Sequence, residues 1–531
     1  MTSTAILPHP IRPIAELPID GDLADALLSS MSEYAARLHG RRLWLACSGG
    51  RDSLALAALC VQLYHHGKLP CLPQLLHVDH GLQNDSQHWA RHVADWAKAQ
   101  QIPCHILAAN VVGHDEQAAR QARYAAMRAH VNQGDVLLLA HHADDQAETV
   151  LMRLIQGAGI KGLAGIQPWR TQNSSGQQSI LWRPWLTIRR TTISRYATRL
   201  ALPYIDDPTN DTGDNVRSGL RRDIMPILAT YNPNVIDNIA RSAQLLKDAE
   251  TTVSAQAVQD MQQTTIPDLN LPAAQQVLDI KALQALPIPR QGQLLHYWLG
   301  QNEPLPPAKQ LVDDVCRLTQ RHDHDHQTAL FWQGGKQAYT IRRYRECLYR
   351  LSHSWLDWLS LPMIHQPQRV SLCAAYGDTT AHSAPTSSKT ISVILRSNES
   401  YTWQLQIAVD TLAPCLRRYL NDPDTQATLT IAPLERTQHI QTAWATRPQS
   451  GKKLYQTLGI PSWLRESLVV VSVVVSIADA VNESQTIKDR PILLISPFAS
   501  CILGAEQSNI DDKNQSLVSQ IQSVVRLNKA L

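Results

Sequence analysis

Four short apolar runs punctuate the first 140 residues, at 43–47, 75–78, 104–108 and 135–140. Runs of this length, bounded by polar and turn-forming residues, read as buried strands. Between them, residues 22–38, the stretch from Leu54, 85–99 and 116–130 place apolar side chains at helical spacing. Strands alternating with helices over short connections predict an α/β domain, doubly wound around a mostly parallel sheet. Further along, 191–200 and 234–263 read as helices, 283–320 as mostly helical and 330–351 as strands. The longest apolar run, 468–478, is about half of a membrane span and reads as a core strand or strand pair. The expected organisation is a disordered extension at 1–20, the α/β domain at 21–226, and a helical linker with a middle domain at 227–353. A second linker at 354–392 and a C-terminal domain with a divergent tail at 393–531 complete it, both later domains being small and α+β.

The chemistry concentrates where strands end. The first run passes into Ser48-Gly49-Gly50-Arg51-Asp52-Ser53, and then into a helix that begins Leu54-Ala55-Leu56. The glycines allow positive φ and close backbone approach. The helix start offers unpaired N–H groups, and Ser48 and Ser53 add hydroxyl donors. A phosphate or pyrophosphate is the expected ligand, although the Walker A spacing GxxxxGK[ST] is absent. Asp79 and His80 fall at the end of the second strand. Ligands of open parallel sheets lie outside that edge, so both are expected beside the nucleotide. The fourth run leads into His141-His142-Ala143-Asp144-Asp145-Gln146-Ala147-Glu148. Asp144 suits a helix N-cap. Asp145 and Glu148 point the same way from the first turn. They either answer the helix dipole or form a carboxylate pair for Mg2+ or an incoming ammonium. The two histidines lack a third ligand at zinc spacing.

Arginines supply the opposite charge. Arg120 and Arg123 share one face of the 116–130 helix and could contact an anion. Arg153 could steer a phosphate. The glycine-rich 157–166 segment is expected to be a mobile loop over the site that excludes water. Arg183, Arg189, Arg190, Arg217, Arg221 and Arg222 make 183–222 locally basic, with Arg217 and Arg221 on one face if helical. Planar, permanently charged guanidinium groups suit phosphate. The basic, aromatic stretch 338–350 is either an RNA surface or a half-exposed strand. Lys452 and Lys453, after Gly451, could hold the backbone phosphates of an RNA end.

A net charge of +3 over 531 residues does not mark a general nucleic-acid binder, so any basic surface is local. Nine cysteines with no CxxC argue against a zinc ribbon, a disulfide framework or a cysteine-ligated cluster. They fit free thiols in a reducing cytoplasm. The N-terminus has no signal-peptide h-region, and no membrane association is expected.

Taken in order, SGGRDS, HVDHGL, AARQARY, LAHHADDQAET and GAGIKGLAGI resemble the tRNA(Ile)-lysidine synthetases of the PP-loop ATP pyrophosphatase superfamily, over about residues 43–226. The resemblance implies a PP-loop fold that binds ATP through Ser48, Gly49, Gly50, Arg51, Asp52, Ser53, Asp79 and His80. It implies Mg2+ near Asp52, and Asp52, Asp145 and Glu148 as catalytic residues, the last two orienting a lysine amine. It implies tRNA contacts at Arg120, Arg123, Arg183, Arg217, Arg221, Lys452 and Lys453. The partners would be tRNA(Ile) with a CAU anticodon and free L-lysine, in the cytoplasm; a homodimer is compatible with the sequence. The implied reaction joins lysine to C2 of the wobble cytidine through an adenylated base, releasing diphosphate and AMP. The family pattern is broken where Ser218 and Gly219 follow Arg217, and it fades after Val469. A PP-loop tRNA thiolase is the alternative enzyme, although that chemistry usually wants paired cysteines. A non-catalytic adenine-nucleotide sensor would not need two basic appended domains.

Overall fold

The computed structural model describes residues 11–79, 86–109, 111, 116–174, 177–205, 216–266, 277–321, 328–361, 367–371, 390–408, 425–442, 444–477, 485–497, 500–503 and 521–527. His80, residues 206–215 and 322–327 and most of the 362–389 stretch lie outside them. The chain divides into two compact units, residues 1–252 and 253–531.

The first unit runs α1 (Gly21–Glu33), α2 (Ala35–Leu38), β1 (Leu43–Ala46), α3 (Arg51–His65), β2 (Gln74–Asp79), α4 (Ser86–Ala99), β3 (Cys104–Ala108) and α5 (Glu116–His130). It continues through β4 (Val136–Leu138), α6 (Ala143–Ile155), α7 (Ile160–Leu163), β5 (Trp169–Ser174), β6 (Gln177–Trp182) and α8 (Arg190–Arg199). Next come α9 (Val216–Gly219), a π-helical turn (Leu220–Ile224) and α10 (Met225–Tyr231). The strand order is β3-β2-β1-β4-β6-β5, parallel except where β5 runs antiparallel to β6. This is the doubly wound α/β sheet that the apolar runs predicted. From β1 the chain builds outward through β2 and β3, then returns to place β4 on the other flank of β1. The loops leaving β1 and β4 therefore diverge at their C-terminal ends and leave a crevice.

The α3 helix anchors that crevice. Every residue from Ser53 to Leu63 is buried, and each leucine in such a position contributes about 1.5–3 kcal/mol. Gln62 is satisfied inside: its amide donates to the carbonyls of Ile14 and Leu17, and its oxygen accepts from the Tyr196 hydroxyl at 2.7 Å. The hairpin β5–β6 has no counterpart in the expectations, because Arg-Thr-Gln-Asn-Ser in β5 carries no apolar run; β6 pairs with β4, and pairing with β6 makes β5 sheet. The expected single helix at 22–38 breaks at Tyr34.

A helix of 30 residues, Val235–Thr264, carries the chain into the second unit. There Leu278–Asp279, Cys347–Ser352, Ala338–Tyr344 and Ala329–Gln333 form one antiparallel sheet. The apolar run at 468–478 is one strand, Val469–Ile477, between two antiparallel neighbours, with Val469, Val470 and Val471 all buried. One expectation is corrected here, and of two open alternatives the strand is the one found. The segment read as a linker from 354 opens with a helix, His353–Ser360, whose Trp355 and Trp358 are fully buried and stacked with centroids 4.8 Å apart. In the basic 338–350 stretch Arg343 and Arg350 turn inward; Arg350 donates to the Leu299 carbonyl at 2.6 Å and Arg343 to that of Thr319 at 3.0 Å. They satisfy carbonyls at helix C-termini instead of facing RNA. Among the described residues no helix is long and apolar enough to cross a membrane.

Candidate active site

The turn between β1 and α3 is built around Gly49. Its φ is +84°, and a Cβ there would stand 2.9 Å from Val93 Cγ2. Both facts demand glycine. The Ser48 and Ser53 hydroxyls lie 3.1 Å apart. Ser53 Oγ donates to the Gly50 carbonyl at 3.0 Å, and the Gly50 N–H donates to Ser48 Oγ at 3.3 Å. Gly50 caps α3 without a side-chain bond, and the N-terminus of a 15-residue helix favours an anion. Gly49→Ala is expected to cost about 1–3 kcal/mol from the backbone conformation alone and to weaken phosphate binding. Denaturant melts and nucleotide titration of the variant test this.

Across the crevice, α6 begins with an acidic cluster. The N-cap is His142, not Asp144 as expected. The Asp145 N–H donates to His142 Nδ1 at 3.4 Å, and the His142 N–H donates to Asp145 Oδ2 at 3.1 Å. Asp144 instead accepts the Arg190 N–H at 2.8 Å and ties α8 to α6. His142 Nε2 stands 3.6 Å from Asp52 Oδ2 and 3.5 Å from Asp145 Oδ2. One imidazole thus bridges the loop after β1 and the loop after β4, so Ser48, Asp52 and Asp145 share one cleft. Burial opposes charge on His142, yet Asp145, Asp52 and Asp144 together hold its pKa above the ordinary value. Burial likewise opposes charge on Asp145, and the neighbouring histidines and Arg217 hold its pKa below the usual range. Asp52 Oδ1 is buried with no hydrogen-bond partner, a carboxylate oxygen left for something not supplied by the chain.

Glu148 is buried and already paired. Arg221 Nε and Nη2 donate to its two oxygens at 2.7 and 3.0 Å, a bidentate fork, and Arg217 Nε lies 3.4 Å away. Burial pushes its carboxyl pKa up against the pull of Arg221; the fork geometry is that of an ionised pair. Arg217 also donates to Thr149 Oγ1 at 2.9 Å. The two arginines expected to face tRNA are thus engaged with the acid cluster. They project from α9 and the π-turn, a geometry common at functional sites.

Several expected contacts are redirected. Arg153 donates to the carbonyls of Gly162 and Gly165, both at 2.8 Å, and does not point at a phosphate. The Gln146 amide bonds Ile166, and a Cβ on Gly165 would meet it at 2.6 Å. The 157–166 segment, read as a mobile loop, is therefore pinned and includes the short helix α7. Arg183 is buried, its guanidinium donating to the Gln167 carbonyl at 2.8 Å, and is no surface for RNA. Arg51 leans over the Tyr204 ring at 4.6 Å and donates to Ser194 Oγ at 3.1 Å. Asp79 closes β2, beside β1. Arg120 is exposed and Arg123 half-buried on α5. Lys452 and Lys453 are exposed on the first turn of the helix Gly451–Thr457 in the second unit. Sequence reasoning set aside His142 as a failed zinc ligand; its signal was its position three residues before Asp145 at a helix start, a reciprocal cap.

His141, next to it, is half-buried with its Nδ1 enclosed and unpartnered, and desolvation pushes its pKa down to about 3. A histidine kept neutral in the fold stabilises it fully above its unfolded pKa of about 6.5. That contribution drains away as pH falls from there towards 3. His141→Asn is expected to flatten the acid limb of stability between those values, read by urea melts across pH.

Residues 24–228 match a family model described as a PP-loop domain, and 278–349 match the TilS substrate binding domain. A tRNA(Ile)-lysidine synthase from Psychrobacter sp. is 40% identical over 479 residues, 84% of this chain and 88% of that protein. Proteins of the same name from Acinetobacter baylyi and Pseudomonas aeruginosa are 34% and 38% identical over 58% and 49% of this chain. Those matches span 62% and 59% of the two relatives.

Proposed function

The chain belongs to the tRNA(Ile)-lysidine synthase family, and on that premise we propose how its side chains divide the work. The protein is a ligase that uses ATP to form a C–N bond between lysine and C2 of the wobble cytidine of an isoleucine tRNA with a CAU anticodon. The cytidine O2 attacks the α-phosphorus of ATP, and the bond to the bridging oxygen breaks as diphosphate leaves. The amine of free lysine then attacks C2 and sheds a proton, and the C2–O2 bond breaks as AMP departs.

Ser48, Ser53 and the N–H groups at the start of α3 hold the phosphates, so that charge developing on the leaving diphosphate meets preorganised donors. The orphaned oxygen of Asp52 fits a Mg2+ ion. Mg2+ is commonly held by one or two carboxylates together with substrate phosphates, and Asp52 would be the carboxylate here. When bound, Mg2+ would neutralise phosphate charge. Asp145, the more accessible carboxylate at 14% side-chain exposure against 2% for Glu148, receives the lysine ammonium and assists its deprotonation, since a protonated amine is no nucleophile. Glu148 acts on the same step through Arg221 and Arg217. Arg120, Arg123, Lys452 and Lys453 offer contacts to tRNA phosphates, with 227–353 and 393–531 as recognition domains. Cytoplasmic location fits the tRNA substrate.

The observation that carries this reading is the His142 bridge, which joins the phosphate loop and the carboxylates in one cleft. Incubation with ATP, labelled lysine and total bacterial tRNA tests it. Lysine label in tRNA supports it. Sulfur incorporation would favour a thiolase, and nucleotide binding without turnover a sensor; either would sink the assignment.

A further inference from the structure

The variable position of the PP-loop is occupied by Arg51, and its guanidinium is engaged by two protein groups outside the loop. Its Cζ stands 4.6 Å from the Tyr204 ring centroid, within cation–π range, while Nη1 donates to Ser194 Oγ at 3.1 Å. Tyr204 belongs to a short strap that runs against the loop. The next residue, Ile205, donates its N–H to the Gly49 carbonyl at 3.0 Å. The preceding carbonyl, of Pro203, bonds buried His92 on α4. Gly49 is the residue with the left-handed backbone that shapes the phosphate cradle. The strap therefore grips the one carbonyl whose orientation decides where the neighbouring N–H groups point, and Arg51 grips the strap.

We infer that Arg51 is a positioning residue of the adenylation step: held by Tyr204 and Ser194, it clamps the 203–205 strap onto Gly49 and so sets the geometry in which the PP-loop receives the triphosphate. The inference rests on the PP-loop being the triphosphate site. An arginine beside phosphates would otherwise be taken as a direct ligand, and the two roles separate experimentally. A direct ligand acts without Tyr204; a clamp needs it.

The test is steady-state lysidine formation by the full chain with ATP titrated, for Arg51→Ala, Tyr204→Ala, their double variant, Tyr204→Phe and Ser194→Ala. A clamp predicts that Arg51→Ala and Tyr204→Ala each raise KM for ATP roughly five- to thirtyfold, with kcat changed less. The double variant is then no worse than the poorer single one, because the two residues act as a unit. Tyr204→Phe, which keeps the ring face, stays within about twofold of the parent. Ser194→Ala raises KM about two- to fivefold by removing the hydroxyl that accepts from Arg51; it decides the matter if Tyr204→Ala does not fold. Additive effects, or a high KM in Arg51→Ala with a normal one in Tyr204→Ala and Ser194→Ala, would overturn the clamp. Ser48→Ala is the control. If it too leaves KM for ATP unchanged, the triphosphate site itself is misassigned; if it raises KM while the clamp variants do not, only the clamp falls.

Discussion

Asp52→Ala is expected to abolish diphosphate release, by a factor on the order of 10³, while the protein stays folded. Asp52 sits in the first turn of α3, its Oδ2 facing His142 and its Oδ1 facing no donor. Removing it deletes the carboxylate best placed for a phosphate-bound cation. It breaks no hydrogen bond that holds the loop, since the Ser48–Ser53 and Gly50–Ser48 contacts do not involve it. It also thins a crowd of three carboxylates around one imidazole, so the pKa of His142 should fall towards its ordinary value, an effect visible by NMR titration. Rates of diphosphate release with tRNA present settle the first point; a loss smaller than about tenfold would remove Asp52 from the chemistry. A large loss accompanied by global unfolding would make it structural instead.

The second large effect is expected at Glu148, and it should divide the reaction. Glu148→Ala leaves Arg217 and Arg221 without the carboxylate they clasp. Breaking a buried ion pair from one side costs about 3–5 kcal/mol, and here less, because the arginines retain 29% and 25% side-chain exposure. Arg221 Nη2 already lies 3.9 Å from Asp145 Oδ1. Released from Glu148, it is drawn onto Asp145 and competes with the ammonium of lysine. Lysine transfer should fall about a hundredfold, roughly the loss of one well-placed charged contact. A single-turnover burst of diphosphate should survive within about tenfold, because the PP-loop makes no bond to Glu148. Quenched-flow measurement of both products compares the two steps. Equal loss of both would show that Glu148 serves the site as a whole and not the amine step.

The fold was legible where burial alone decides secondary structure. The runs at 43–47, 75–78 and 135–140 became β1, β2 and β4 because strands covered on both faces must be apolar throughout. The polar β5 was not legible: its strand character comes from pairing with β6, a tertiary fact. The site was legible in its residue types and less so in its partnerships. Ser48, Asp52 and Asp145 were recognisable because the ends of parallel strands collect ligands. Whether an arginine points to solvent or to a carbonyl depends on what packs against it, and Arg51, Arg153 and Arg183 all chose protein partners. His142 was overlooked because a histidine pair suggests metal before it suggests a cap.

The stacked indoles of the second unit offer a separate handle on the molecule. Trp355 and Trp358 stand 4.8 Å apart with their planes tilted by 27°, and Tyr401 meets Trp355 edge-on. Chromophores so close and not quite parallel couple their electronic transitions, and the coupling gives circular dichroism a signed couplet in the ultraviolet. No tryptophan belongs to the set Ser48, Asp52, His142, Asp145 and Glu148, so ATP should leave that couplet untouched. Loosening of the second unit would extinguish it while nucleotide binding at the PP-loop persisted, and one spectrum would tell the two failures apart.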